Sequence, residues 1–344
     1  MSSPVLGTFL HAVGGASAST CYLPFQKTKQ WSWGTFWLVQ SFFAWLLMPI
    51  IIGWLTVPDF FYILRIAPFE PIGTAFLLGA VYGFGGMSFG YAITKIGYSL
   101  TYTISIGLSA ILGTITPLLM QGTLIRYFET PGSNIVLIGM ILSLIGVALS
   151  GVAGFRKEKD LGESKKNFNM ASGLILAVIG GVLSAVFNIS LEAGQPIADL
   201  AAEHGAGHFE GNAKLIVSTS GCFVVNLIWF LIAGIRNKTL NEFVSKGKVP
   251  GKIRSRNYLW SALAGTLWTG QFFFYGLGHV QMGKFQFISW VLHMSMLIFF
   301  SYIVGVLMKE WKQVQRKTFY MLIVSLVLLF LSSVIISYGS TFQQ

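Results

Sequence analysis

The chain is 344 residues long, 54% hydrophobic and 15% aromatic, with only 10% charged residues and a mean hydropathy of +0.68. Soluble globular chains carry about 25% charged residues, so this composition excludes a soluble fold, and 29 Phe and 10 Trp exclude disorder. The net charge of +11 would suggest a nucleic-acid partner in a soluble protein; in a membrane chain the placement of the charges outweighs their sum, and no nucleic-acid partner is expected.

Crossing the hydrocarbon core takes about 20 mostly apolar residues in a helix. Ten windows meet that length, at 4–23, 34–57, 71–94, 98–120, 134–154, 170–193, 212–235, 257–278, 284–307 and 318–339. They lack two-residue alternation and are about twice as long as a barrel strand, which favours helices. The first window is expected to be a retained span. Ala16-Ser17-Ala18 is superficially like a cleavage site, but no basic residue precedes Lys27, and a secretory leader needs a basic start. Turn chemistry separates the windows at Pro24, Val57-Pro58-Asp59, Pro131-Gly132, Gly194-Gln195-Pro196 and Pro250-Gly251. The spans nearly touch at 95–97 and 279–283.

Nineteen of the 23 basic residues fall in or beside odd-numbered loops: Lys27 and Lys29; Lys95; Arg156, Lys157, Lys159, Lys165 and Lys166; Arg236, Lys238, Lys246, Lys248, Lys252, Arg254 and Arg256; Lys309, Lys312, Arg316 and Lys317. Even-numbered loops hold Arg65, Arg126, Lys214 and Lys284. Because Lys and Arg collect in cytoplasmic loops, the odd loops are expected inside and both termini outside. Loop 236–256 needs no lipid or nucleic-acid partner to explain its charge.

The polar stretch 155–169 divides the spans five and five, which suggests an N-terminal five-helix repeat at 1–154, a cytoplasmic linker at 155–169 and a second five-helix repeat at 170–344. Gly14-Gly15 in the first span has a counterpart in Gly180-Gly181 of the sixth. At an offset of 186, Gly79 meets Gly265, Tyr82 meets Trp268, Phe89 meets Tyr275, Gly90 meets Gly276 and Gly97 meets Gly283. A duplicated unit with an odd number of spans enters the membrane in the opposite sense, and such inverted repeats build secondary transporters with a midplane site. The expected fold is therefore an all-α integral membrane protein of ten transmembrane helices in two inverted repeats.

Polar side chains deep in hydrocarbon are costly and mark function. His11 lies in the first span, one turn before Gly14-Gly15; Glu192 closes the sixth; His293 is central in the ninth. Trp268, Gln271 and Tyr275 share one face of the eighth span at i, i+3 and i+7, as Ser289 and His293 do in the ninth at i and i+4. An aromatic plane with an amide suits a neutral polyhydroxylated ligand, whose C–H face stacks while its hydroxyls find donors and acceptors. No Arg or Lys is expected within a span to neutralise an anion. Packing and interhelical hydrogen bonding could equally occupy Trp268 and Gln271, while Trp31, Trp33, Trp311 and Tyr320 fit interfacial anchors. His204, His208 and His279 fall in loop territory. The run 79–90 (GAVYGFGGMSFG) lacks a preceding strand, so its glycines read as close helix packing rather than a nucleotide loop. Cys21 and Cys222 read as small buried hydrophobes.

No HExxH, P-loop or nucleophile elbow is present, so neither catalysis nor ATP use by this chain is expected, and no metal or other cofactor. An ion gradient is the alternative, worth about 2.3 kcal/mol per charge per 100 mV. For a proton, the titratable choices are His11, His293 and Glu192, histidine being the side chain that titrates near neutral pH.

These residues lie in a sequence that resembles the bacterial L-rhamnose–proton symporter family of the drug/metabolite transporter superfamily, nearly end to end. The matching stretches run from Ala16-Ser17-Ala18 through Pro24-Phe25 to Trp31-Ser32-Trp33, and include Gly79 to Tyr91, Gly113-Thr114 with Thr116-Pro117, and Gln271-Phe272-Phe273-Phe274-Tyr275 to His279. The most specific is Ile288-Ser289-Trp290 with Leu292-His293-Met294-Ser295, ending near Lys309-Glu310-Trp311. The resemblance implies uptake of L-rhamnose, a 6-deoxyhexose, with protons across a bacterial inner membrane. It adds Trp290 to the substrate-binding candidates and raises Gln271, Tyr275, Ser289 and His293, on matching motifs, above Glu192. One departure is that Glu192 stands where enterobacterial members look to carry asparagine; a carboxylate there bears on coupling or substrate choice and keeps related deoxysugars open. Another sugar, export of a metabolite, and a sugar sensor without transport are the alternatives, the last disfavoured because no polar stretch is large enough for a signalling domain.

Overall fold

The computed structural model describes residues 3–123, 125, 128–161, 170–244 and 249–342. Arg126, Lys165, Lys166, Lys246 and Lys248, and the linker positions 162–169, lie outside the described residues. The main helices are α1 (Pro4–Thr20), α2 (Trp33–Phe42), α3 (Met48–Thr56), α4 (Phe60–Ile66), α5 (Phe69–Ile96), α6 (Tyr98–Met120), α7 (Ser133–Asp160), α8 (Met170–Ala193), α9 (Gln195–Glu203), α10 (Gly211–Arg236), α11 (Gly251–Gln281), α12 (Ser289–Leu307) and α13 (Arg316–Thr341). No strand occurs among the described residues.

Eight helical stretches among the described residues are long and apolar enough to cross a bilayer: Trp33–Thr56, Phe69–Ile96, Leu100–Met120, Ser133–Asp160, Ala171–Glu203, Gly207–Arg236, Gly283–Leu307 and Arg316–Ser340. Windows 4–23 and 257–278 are also helical, as α1 and α11, but fall outside that set. The 17 residues of α1 reach only about 26 Å at 1.5 Å per residue. In α11 the helix carries Lys252, Arg254, Arg256, Asn257, Gln271 and His279 along with its apolar residues.

Local chemistry sets the boundaries. Ser32 caps α2 by accepting from the Thr35 backbone N–H. A π turn at Phe43–Leu47 joins α2 to α3; Pro49, in the first turn of α3, has no N–H to give the Trp45 carbonyl, and the wider turn absorbs that break. The two shortest separations turn on Gly97 (φ +82°) and Gly283 (φ +58°), backbone conformations that favour glycine. Gly283 opens a 3₁₀ segment, Gly283–Ile288, which feeds α12.

The chain forms two compact units, each drawing on both halves of the sequence. One comprises Met1–Ser19, Gly85–Ile189 and Leu277–Gln344; the other comprises Thr20–Phe84 and Ser190–Gly276. In the first, α7 and α13 form a seam of small residues. A Cβ on Gly139 would lie 3.0 Å from the Ile336 backbone nitrogen, and one on Gly146 3.0 Å from Leu329 Cγ. Backbones approach this closely because packing contacts replace the hydrophobic drive that lipid removes. Ser143 and Ser295 hydroxyls meet at 2.5 Å, and Tyr302 donates to the Ser150 carbonyl at 2.7 Å. Helix α7 continues past the expected end of its span to Asp160. There Lys157 Nζ donates to Glu310 Oε2 at 2.8 Å and sits 5.3 Å from the Trp311 ring centre.

In the second unit, α10 is the hub. Trp37 Nε1 donates to Asn226 Oδ1 at 2.8 Å, and Asn226 Nδ2 donates to the Gly83 carbonyl at 3.1 Å. Thr269 Oγ1 of α11 donates to the Ala44 carbonyl at 2.7 Å. Two of the expected interfacial anchors are instead internal: Trp311 is buried, and Trp31 is buried with Nε1 donating to the Glu242 carbonyl at 3.1 Å. Tyr320 is exposed. Cys21 and Cys222 are buried free thiols.

Candidate functional site

In the first unit, His11 of α1 and His293 of α12 are fully buried, with ring centroids 5.8 Å apart and planes at 70°. A Cβ on Gly278 would stand 3.0 Å from His11 Cε1 and 3.1 Å from Nε2, so the glycine leaves room for the imidazole. His279, expected in loop territory, is in α11 and within electrostatic reach of His11. One turn before His293, the Ser289 hydroxyl is buried with no hydrogen-bond partner among the described residues, as is the Thr114 hydroxyl. Trp290 is differently placed: its Nε1 donates to the Ser109 carbonyl at 3.0 Å and lies 3.3 Å from the Ser109 hydroxyl. Its indole lies against Gly113, whose carbonyl accepts from Asn188 Nδ2 at 2.9 Å. The indole N–H is thus spent on the protein, leaving Trp290 only its ring face to offer a ligand.

In the second unit, Trp268, Gln271 and Tyr275 are all buried. Trp268 lies 4.9 Å from Phe272 and Phe272 6.2 Å from Tyr275, between ring centroids. The aromatic surface continues through residues on the second span that the sequence reasoning passed over. Trp45 meets Trp268 edge-on at 5.6 Å, Trp37 meets Trp45 at 6.2 Å, and Tyr22, which precedes that span, stacks on Trp37 at 5.7 Å. Between Trp37 and Trp45 lies Gln40, 1% exposed. The signal was available, since a lone amide in an apolar window satisfies the same criterion that singled out Gln271.

Glu192, also in the second unit, is half-buried near the end of α8, within electrostatic reach of Tyr275. Its setting corrects the expectation that no cation lies in a span. Because α10 begins at Gly211, Lys214 is in the helix, 8% exposed. Its Nζ donates to Gln195 Oε1, and Gln195 Nε2 donates to Asp199 Oδ1 at 2.8 Å. Glu192, Glu210 and Asp199 all lie within electrostatic reach of Lys214. Glu192 is therefore one member of a charged network rather than a solitary carboxylate.

Membrane-length helices that bury imidazoles in one unit and amides with edge-on indoles in the other define a multi-pass membrane protein built to handle a small polar solute. A family model described as L-rhamnose-proton symport protein (RhaT) matches residues 1–341. An L-rhamnose-proton symporter of Pectobacterium atrosepticum is 34% identical over 344 residues, covering 98% of this chain and 99% of the relative. Symporters of the same description from Yersinia pestis and Yersinia pseudotuberculosis are 33% identical over 339 residues, covering 97% of this chain and 98% of each relative. The chain belongs to the L-rhamnose-proton symporter family, a family of transporters and not of enzymes.

Proposed function

We propose that this protein imports L-rhamnose together with protons across a bacterial inner membrane by alternating access. Membership of the symporter family over nearly the whole chain carries this function. The aromatic face of Trp268 and Tyr275, with the Gln271 amide, recognises the sugar: C–H surface stacks on the rings and hydroxyls pair with the amide. The coupling proton is held at the His11–His293 pair, the two imidazoles that burial and proximity bring together in the first unit. Glu192 is the competing proton carrier.

The transport cycle uses ten spans in two inverted five-helix repeats, 1–154 and 170–344, joined by the linker 155–169, with both termini periplasmic. A swap of packing partners supports the repeat. Gly15 of the first span packs on Met296 and Leu297 of the ninth, while its counterpart Gly181 of the sixth packs on Ser105 and Leu108 of the fourth. Gly79 of the third packs on Ser218 of the seventh, while its counterpart Gly265 of the eighth packs on Gln40 and Phe43 of the second. Each exchange is what a relation of span n to span n+5 requires. Gly97 and Gly283, paired by the same offset, both take positive φ.

Purified protein in vesicles tests the function. Labelled L-rhamnose accumulates when the outside is made acid, and collapse of the gradient by a protonophore abolishes the accumulation. Uptake indifferent to the gradient would remove proton coupling; no uptake would remove the substrate.

A further inference from the structure

Most buried donors and acceptors of the second unit are spoken for. Trp31 and Trp37 give their indole N–H groups to the Glu242 carbonyl and to Asn226. Asn212, Asn226 and Asn257 all hold hydrogen bonds. Gln40 and Trp45 break the pattern: both carboxamide atoms of Gln40 and Nε1 of Trp45 are buried without a hydrogen-bond partner among the described residues. Buried polar groups are ordinarily paired, because leaving them bare forfeits what water supplied.

Their position is specific. Gln40 precedes the π turn Phe43–Leu47 and Trp45 lies inside it; π turns occur disproportionately at functional sites. This segment lies directly on α11. A Cβ on Gly265 would be 2.7 Å from the Gln40 carbonyl oxygen and 2.8 Å from the Ala44 nitrogen. One turn on, Trp268 meets the Trp45 ring. Gln40 and Trp45 thus border the aromatic face already proposed for the sugar, from a different span.

We infer that Gln40 and the indole N–H of Trp45 are hydroxyl-recognising residues for the transported sugar and set which hydroxyls it must carry. The carboxamide brings two N–H donors and an oxygen acceptor, and the indole brings one donor and no acceptor. A vicinal diol, each hydroxyl both donating and accepting, satisfies that set, whereas an apolar or purely cationic solute leaves it bare. Discrimination is strong where a site must pair its buried polar groups, because an analogue lacking the hydroxyl leaves them exposed to that loss. The assignment rests on L-rhamnose being the substrate.

The test uses the full chain in detergent and in vesicles, with L-rhamnose and its monodeoxy analogues as probes. Trp45→Phe keeps an aromatic ring and removes the N–H; Gln40→Ala removes the amide, and Gln40→Leu does so with volume nearly kept. Each variant is expected to weaken L-rhamnose binding about tenfold, the scale of one net hydrogen bond, while the sugar-free Tm holds or rises in the volume-conserving Gln40→Leu. Trp45→Phe is also expected to lose the wild-type preference for L-rhamnose over one particular monodeoxy analogue. Wild-type affinity and selectivity in Trp45→Phe and in a folded Gln40 variant overturn the assignment. A fall in the sugar-free Tm of Gln40→Leu with affinity unchanged overturns it too, marking internal water as the partner. A wild-type protein that neither binds nor moves L-rhamnose defeats the proposed function itself, which separates the two failures.

Discussion

Two imidazoles with centroids 5.8 Å apart in a site shielded from water repel strongly when both are charged, so the pair takes up at most one proton at a time. On the proposed coupling, His11 and His293 act as a single proton-handling unit. His293→Ala is expected to reduce gradient-driven L-rhamnose accumulation by about 100-fold, the scale of a positioned proton-transfer group, while insertion and the size-exclusion profile stay as in wild type. Wild-type accumulation by that variant would remove His293 from the mechanism. Glu192→Gln separates the rival carrier: with the proton on the histidine pair, the pH dependence of uptake stays as in wild type. Loss of that dependence, with sugar exchange retained, would move the proton to Glu192. On the sugar side, Gln271→Ala removes an amide and is expected to raise the rhamnose Kd about tenfold, as read by titration calorimetry.

Between helices, close approach depends on small residues rather than on apolar bulk. On α7, Gly139 and Gly146 lie two turns apart against Ile336 and Leu329 of α13, so a larger side chain on this face must part the two backbones. Gly139→Leu is expected to destabilise the protein by about 1–3 kcal/mol, seen as a lower Tm in detergent. The same change at exposed Ile138 is expected to leave Tm in place. The helical nature of all ten windows was legible from apolar length, and the glycine punctuation at 97 and 283 from the near-touching spans. Less legible was where a helix ends relative to its apolar core. Asp160 closes α7 because Lys157 finds Glu310 and Trp311, partners 153 residues or more away that no local pattern reveals. Lys214 falls within the window 212–235, but its burial rests on Gln195, 19 residues away. The face shared by Trp268, Gln271 and Tyr275 followed from helical spacing alone, whereas the contributions of Trp37, Gln40 and Trp45 depend on which span packs against α11.

For the molecule as a whole, the proposed inverted repeat joins the swapped glycine contacts and the charge pattern in one requirement: if five spans make each repeat, the second is reversed in the bilayer and the basic loops all emerge on one face. Lys252 and Lys312, both exposed, belong to loops expected in the cytoplasm, where basic residues accumulate. Glu129 and Glu203, also exposed, belong to even-numbered loops expected outside. The native thiols Cys21 and Cys222 are buried, so a single added cysteine dominates labelling by a membrane-impermeant maleimide. In intact spheroplasts, Glu129→Cys and Glu203→Cys are expected to label, and Lys252→Cys and Lys312→Cys only after the membrane is opened. If Glu203→Cys and Lys252→Cys labelled from the same side, α10 and the chain around it would not cross the bilayer an odd number of times between them. The ten-span count would then fall, and with it the reversal on which the inverted repeat and the alternating exposure of the sugar site depend.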